Sequence, residues 1–251
     1  MTTRSAARAG ARTGAAKAYE AVAGRLRKQI LEGVLSQGVR LPNETVLAAE
    51  FGVSRTTVRE ALRLLAAQNL IRTAKGAGGG SYVTVPSTDH ISESLRSGID
   101  LLALAEGVTL EELLEARELL EVPAARLAAR RRSAEDVERM RRAIPPEPAR
   151  LAAQDQFAHN KDFHSFVIDA SHNTLLVIAA QPVFNVLQTH LARSRLGREF
   201  HAAVNEHHRA IAAAIEAGAA RAAEGAMRSL LQFLRPFYEK AWRYAQTLRE
   251  R

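Results

Sequence analysis

Arg55, Thr56, Thr57 and Arg59 stand together at the start of one helical pattern, and their side chains suit the reading of nucleic acid. Arginine can meet a guanine edge with two parallel hydrogen bonds. Threonine can reach a base edge, a thymine methyl or a phosphate. The same pattern carries Val58, Ala61, Leu62 and Leu65 at core spacing, so the polar cluster and the apolar stripe lie on different faces. Ser54 is placed as an N-cap whose hydroxyl accepts from a free amide of the next turn. Before it runs Phe51-Gly52-Val53-Ser54. Gly52 there supplies the backbone freedom that a sharp turn between two helices requires. Two short helices meeting at such a turn form a helix-turn-helix, whose second helix enters the major groove by its N-terminal residues.

The chain that follows has a different period. Leu70 to Thr73 and Tyr82 to Val85 alternate like short strands. Between them lies a glycine-rich tip with one lysine, Lys75, followed by Gly76. Small residues let such a tip approach the DNA backbone or minor groove, with Lys75 on a phosphate. A helix-turn-helix followed by a two-stranded hairpin is a winged helix. The competing reading is an ordinary helical pair with a glycine hairpin; cap, turn, charge and wing agree against it.

A second group of chemistry-bearing residues lies in the later part of the chain. Asn160 and His164 are four apart on one helix and share a face. His208 precedes Ile211 and Ile215 at core spacing, which turns it inward. Two histidines and an asparagine are a thin donor set for a metal, and hydrogen-bonded core histidines are the alternative. Arg117, with Arg193 or Arg195, could pair with a carboxylate, or each could sit in an ion pair, as Arg117 with Glu121 at i+4.

These groups need elements to hold them. A helix over 18–35 carries Val22, Leu26, Ile30 and Val34 down one face, with Gly33 and Gly38 marking its exit. Asn43 caps the next helix, which buries Val46, Leu47 and Phe51. Pro86 to Asp89 breaks the composition, and beyond it the strand signals stop. Helices are expected over 91–105 and from Thr109 to Arg132, the latter kinked at Pro123. Ser133 caps one to about Ala143, and Pro145 to Pro148 form a breaker. Four more follow, near 149–171, 174–195, 197–217 and 219–249, with Gly218 at a helix end. The expected fold is mainly α: an N-terminal winged helix-turn-helix plus a C-terminal all-α bundle of six or seven helices. The expected division is a disordered basic tail over 1–17, the winged helix over 18–86, a linker and first bundle helix over 87–100, and the bundle over 101–246.

Composition bounds the function. Thirteen lysines and arginines against five glutamates up to Pro86 account for the whole formal net charge of +8. Attraction to phosphate is therefore confined to the N-terminal part. The 251 residues contain no cysteine, which leaves no disulfide or thiolate chemistry. No apolar run is long enough to span a bilayer. The Arg/Ala/Ser-rich start reads as a basic tail rather than a transit peptide. The expected location is the cytoplasm, on the nucleoid, with no membrane partner.

With these residues in view, Leu41 to Val85 resembles the DNA-binding domain of the GntR family of bacterial transcription regulators. The matching pieces are Leu41-Pro42-Asn43-Glu44, Val53-Ser54-Arg55-Thr56-Thr57-Val58-Arg59-Glu60-Ala61-Leu62, and the wing from Gly76 to Val83. Where that family usually carries a basic residue after the glutamate of the first piece, this chain has Thr45. Residues from about Leu101 to Leu234 resemble the FCD ligand-binding domain of the FadR-type subfamily. That match rests on Arg117 with Glu121, on Ala124 to Ala128, on Asp162-Phe163-His164 with Asn173, on His208 to Ile211 through Gly218, and on Ala226-Met227-Arg228. The resemblance implies a homodimeric repressor that binds a palindromic double-stranded operator and senses a small organic acid or related metabolite. It implies DNA contacts from Ser54, Arg55, Thr56, Thr57, Arg59, Lys75 and Gly76, and effector contacts from Arg117, Asn160, His164, Arg193 and His208. Metal-binding members place ligands at positions that here hold Asn160, His164, His208 and Leu230. Leucine cannot ligate and asparagine brings no charge. The expectation is a pocket whose zinc, nickel or manganese is weak or absent. A metal-dependent enzyme built on the histidine-bearing bundle is the alternative function. It needs a complete metal shell and a general base. Non-specific architectural DNA binding is a third, which leaves the large neutral bundle without a role.

Overall fold

The computed structural model describes residues 18–76, 78–105, 107–145, 153–190 and 196–249. The expected tail over 1–17, Arg193 and Arg195, and Pro146 to Pro148 lie outside the described residues. The chain forms two compact units that divide between Ser87 and Thr88.

In the first unit, helix α1 covers residues 18–31 and buries Val22, Ala23 and Leu26. It stops short of the expected 35, because Gly33 adopts a left-handed φ of 75°. Val34 is therefore not a rung of the apolar ladder but 67% exposed. Helix α2 (Glu44–Phe51) starts where Asn43 was expected to cap: its side chain accepts from the amides of Thr45 and Val46 at 3.1 and 3.0 Å. Its buried residues are Leu47 and Ala48, while Val46, expected in the core, is 49% exposed. The burial follows Leu47 and its neighbour rather than the whole apolar run. Gly52 ends α2 at φ 64°, ψ 34°, and Ser54 caps helix α3 (Arg55–Ala67) by accepting from the Thr57 amide at 3.1 Å. Val58, Ala61 and Leu65 are fully buried and Leu62 is half-buried.

Strands β1 (Ile71–Ala74) and β2 (Gly80–Val83) pair antiparallel, with Ile71 opposite Val83 and Arg72 opposite Tyr82. They sit closer to the tip than the expected Leu70–Thr73 and Tyr82–Val85, and Val85 is 60% exposed. Residues 38–41 lie along the other edge of β2. There Leu41 donates to the Ser81 carbonyl at 2.8 Å, Val83 donates to Val39 at 2.8 Å, and Arg40 bridges Tyr82.

The second unit holds seven helices among the described residues: α4 (Thr88–Leu104), α5 (Leu110–Arg131), α6 (Ala134–Arg142), α7 (Ala153–Asp169), α8 (Thr174–His190), α9 (Arg198–Glu216) and α10 (Ala220–Arg249). The stretch 87–100 is thus helix from Thr88 onward. Pro123 lies within α5 without ending it. Helix α5 is central, packed by α7, α8, α9 and α10. Ala124, Ala125, Ala128 and Ala129 are fully buried on it, and such small side chains permit close approach of neighbouring helices. Its core stripe also includes Arg117 and Glu121.

Capping fixes several boundaries. Ser133 and Asp136 form a reciprocal box at the start of α6: the Ser133 amide donates to Asp136 Oδ2 at 2.8 Å, and the Asp136 amide donates to Ser133 Oγ at 3.1 Å. Burial pushes the Asp136 carboxyl up, but the Ser133 amide and hydroxyl and His172 hold it below the usual range. Ser133→Ala is expected to lower the stability of this unit by about 1 kcal/mol, read as a shift of the urea midpoint with an unchanged slope.

Candidate nucleic-acid interface and effector site

Along the exposed start of α3 the expected reading residues are not equivalent. Arg55 and Thr56 are exposed, and their side chains make no hydrogen bond among the described residues. The Thr57 hydroxyl lies 2.8 Å from Ser54 Oγ, so it is shared with the cap. Arg59 is held in a two-point pair: Nε donates to Glu44 Oε1 at 2.9 Å and Nη2 to Oε2 at 2.7 Å. This pair, chiefly through the Arg59 hydrogen bonds, lowers the Glu44 carboxyl below its ordinary range. Glu44 opens α2, so the pair ties the first helix of the motif to the face of the second. It leaves Nη1 of Arg59 uncommitted to Glu44 and fixes the plane of the guanidinium. The neighbouring Thr45 side chain is exposed.

The wing is braced by two residues that sequence reasoning missed. The Tyr82 hydroxyl donates to the Gly78 carbonyl at 2.6 Å, and the Arg40 guanidinium donates to the Gly79 carbonyl. Arg72 lies over the Tyr82 ring at 5.0 Å. A Cβ at Gly80 would come within 2.7 Å of Arg40 Nε, so glycine there lets Arg40 pass. Gly76 takes φ 96°, and its carbonyl accepts from Gly79 at 2.8 Å. The turn leaves Lys75 exposed beside it. Bracing of this kind reduces the entropy lost when a loop meets its ligand.

If Glu44 positions Arg59, the two must act as one. Glu44→Ala is expected to weaken operator binding while leaving affinity for random DNA unchanged or raised, since an anion is removed. The Glu44→Ala/Arg59→Ala pair should lose no more than Arg59→Ala alone. Anisotropy titrations of the four proteins on both DNAs measure this coupling, and additive losses would show independent roles.

In the helical unit, α5, α7, α8, α9 and α10 bring together a buried polar cluster. Arg117 is 2% exposed and Glu121 1%. Arg117 Nε donates to Glu121 Oε1 at 2.5 Å and Nη1 to the Tyr238 hydroxyl at 2.6 Å. Its Nη2 lies 3.2 Å from His164 Nε2 and 3.4 Å from Nδ1. His164 Nδ1 is 2.5 Å from Glu121 Oε2. Phe184 and Tyr238 flank the guanidinium at 5.0 and 5.4 Å. His208 stacks on Phe163 at 4.0 Å and meets His164 edge-on at 5.4 Å. Burial alone would raise the Glu121 carboxyl, but the Arg117 charge and His164 outweigh it and hold it down to about 2.

This cluster bears on two sequence expectations. Arg117 is in the ion pair with Glu121 that its spacing allowed, and its Nε, Nη1 and Nη2 each already face a buried partner. The metal set does not fit a dication. His164 has one ring nitrogen against Glu121 and the other against the Arg117 cation, and Leu230, fully buried, has no donor atom. Among the described residues no group of three histidines, cysteines or carboxylates is placed to hold a metal ion. Asn160, half-buried, lines a small cavity together with Asn205, which sequence reasoning also missed. No residue type marks Asn205; only its place three before His208 on one face could have pointed to it.

Known proteins place both units. Residues 18–81 match the family described as bacterial regulatory proteins, gntR family, and residues 112–233 match the FCD domain. The chain is 32% identical to the Uxu operon regulator of Haemophilus influenzae over 84% of its own length and 78% of that protein. It is 31% identical, over 91% of its length and 90% of the other's, to an Escherichia coli protein described as regulating the L-lactate dehydrogenase operon. A solved GntR structure from Streptococcus agalactiae covers 87% of this chain and 99% of its own at a TM-score of 0.57 and 24% identity, which speaks to the fold. These likenesses are to regulators, and they overturn the metal-dependent enzyme as an alternative. Among the described residues no helix is long and apolar enough to cross a membrane. The chain belongs to the GntR family of bacterial regulatory proteins, with a winged helix-turn-helix and an FCD domain, and is a transcription regulator rather than an enzyme.

Proposed function

We propose that the protein is a homodimeric, ligand-responsive repressor that reads a short palindromic operator. The observation that carries this is the open N-terminal end of α3, where Arg55 and Thr56 are exposed and Arg59 is pre-oriented by Glu44. Arg55, Thr56 and Arg59 take base edges, Thr57 and Ser54 the cap and a phosphate, and Lys75 and Gly76 the backbone beside the wing. A two-fold protein is mirrored by a two-fold site. The helical unit binds a small organic acid or related metabolite; the relative assigned to the L-lactate dehydrogenase operon supports that class. Effector binding shifts operator affinity only as far as it favours one state of the protein over the other. The working division of the chain is a reader over 18–86 and an effector and dimerisation part over 101–246, and the site of action is the chromosome in the cytoplasm.

The test is selection of genomic fragments of the source organism by the purified protein at moderate salt, followed by sequencing. Enrichment of one palindrome, released by a metabolite of the neighbouring genes' pathway, is expected. Even recovery across the genome would overturn the reading.

A further inference from the structure

A small cavity of about 10 Å³ lies between α7 and α9, lined among others by Gln156, Asn160, Phe200, Val204 and Asn205. It has room for one water or one oxygen of a larger molecule. Two of its walls present buried atoms without a hydrogen-bond partner among the described residues: Nδ2 of Asn160 and Nδ2 of Asn205. Asn205 is only 5% exposed. An unmet buried donor costs free energy, and folded proteins rarely keep one without a use. Here two such donors from two helices border one space.

The chemistry of the pair limits what it can take. An amide NH₂ has hydrogens to give and no lone pair to offer. It repels a cation and attracts an acceptor oxygen. Asn160 stands four residues before His164 on α7, and Asn205 three before His208 on α9. The cavity therefore lies about one helical turn along from the Arg117–Glu121–His164 cluster. Among the described residues that cluster pairs its charges internally, and the two unmet amide donors bordering the cavity are neutral.

We propose that Asn160 and Asn205 form a two-donor subsite for a carboxylate or carbonyl oxygen of a small ligand, and that this subsite works without a metal ion. The proposal rests on the reading of the helical unit as the effector-binding part. It departs from that reading in giving recognition to neutral amides rather than to Arg117 or a metal. Asn160 serves as a hydrogen-bond donor, not as a metal ligand.

The experiment is a nitrogen-15 NMR titration of the full-length protein, following the side-chain NH₂ signals of Asn160 and Asn205. The probes are sodium formate and sodium acetate, the smallest carboxylates, to high millimolar concentration, and zinc chloride in a parallel series. Asn160→Asp and Asn205→Asp assign the signals. The expected result is that both NH₂ signals move together and saturate with formate or acetate. Asn205→Leu should weaken that binding at least tenfold. If Asn205→Leu fails to fold, Asn205→Asp, which replaces the donor with an acceptor, serves the same purpose. Amides that stay still under both carboxylates overturn the subsite and leave a single trapped water as its occupant. Zinc bound at one per chain, with His164 and His208 perturbed, overturns the metal-free part. Failure of the effector reading is separate: the amides would saturate as expected while no metabolite changes operator affinity.

Discussion

Glu121→Ala is expected to cost the helical unit about 3–5 kcal/mol, because it strips the partner from a buried cation. Arg117 is 2% exposed, and its guanidinium lies between Phe184 and Tyr238. Without Glu121 the charge keeps its hydrogen bond to Tyr238 and loses its counterion. Replacing the pair together, as Arg117→Met with Glu121→Leu, should be far milder, since two well-packed apolar side chains of similar volume often match a buried ion pair. Urea denaturation of the three proteins at pH 7 orders them. A mild Glu121→Ala would mean that water reaches Arg117. The acid limb gives an independent check. Burial pushes the Glu121 carboxyl up, yet Arg117 and His164 bring it from 4.5 down to about 2 in the folded protein. A carboxyl lowered on folding adds stability that is whole above pH 4.5 and disappears as pH falls toward 2. The shift corresponds to about 3 kcal/mol. The difference in stability between the native protein and Glu121→Gln should therefore shrink across that window and stay flat above it. A constant difference down to pH 2 would show that the carboxylate is not held ionised by its neighbours.

The same cluster shows where reading a sequence succeeds and where it stops. Asn43, Gly52, Ser54, Ser133 and Gly218 act on backbone groups within a few residues of themselves, so their roles are legible in the chain. The order of the helices and the winged motif followed from such local signals and from apolar spacing. Val34 and Val46 show the limit of spacing: both continue an apolar pattern, and both face solvent once Gly33 turns the chain and Leu47 takes the core. Partners far apart in sequence were not legible. Arg40 and Tyr82 reach the wing tip because residues 38–41 pair with β2, and nothing near Arg40 announces that edge. The i+4 spacing allowed Arg117 to pair with Glu121, but its burial depends on α8 and α10 closing over it. Asn205 carries no local signal beyond its place three before His208, since an asparagine on an amphipathic helix is ordinarily a solvated residue.

Arg55→Ala is expected to weaken binding to the operator by between about 5- and 150-fold and to relax the base preference at one position in each half-site. The side chain of Arg55, like that of Thr56, is exposed and makes no hydrogen bond among the described residues, whereas Arg59 is clamped by Glu44 and Thr57 is shared with Ser54. A free guanidinium at the first position of α3 can turn its fork to a guanine edge. Arg59, with its plane already fixed, reaches DNA only in the direction Glu44 permits. The two arginines should therefore differ in kind. Loss of Arg55 should spare random DNA and relax the base preference at the position it reads. Lys75→Ala, beside the wing tip, should weaken every sequence alike and reduce the slope of log affinity against log salt by about 1. Binding of the wild type and both variants to the operator, to each single-base variant of a half-site and to random DNA at several salt concentrations separates these outcomes. Equal loss on specific and random DNA for Arg55→Ala, with a salt slope reduced as for Lys75→Ala, would assign Arg55 to a phosphate. It would leave Thr56 and the clamped Arg59 as the readers of sequence, and the base preference should then move with Glu44, whose removal frees the guanidinium that it now orients.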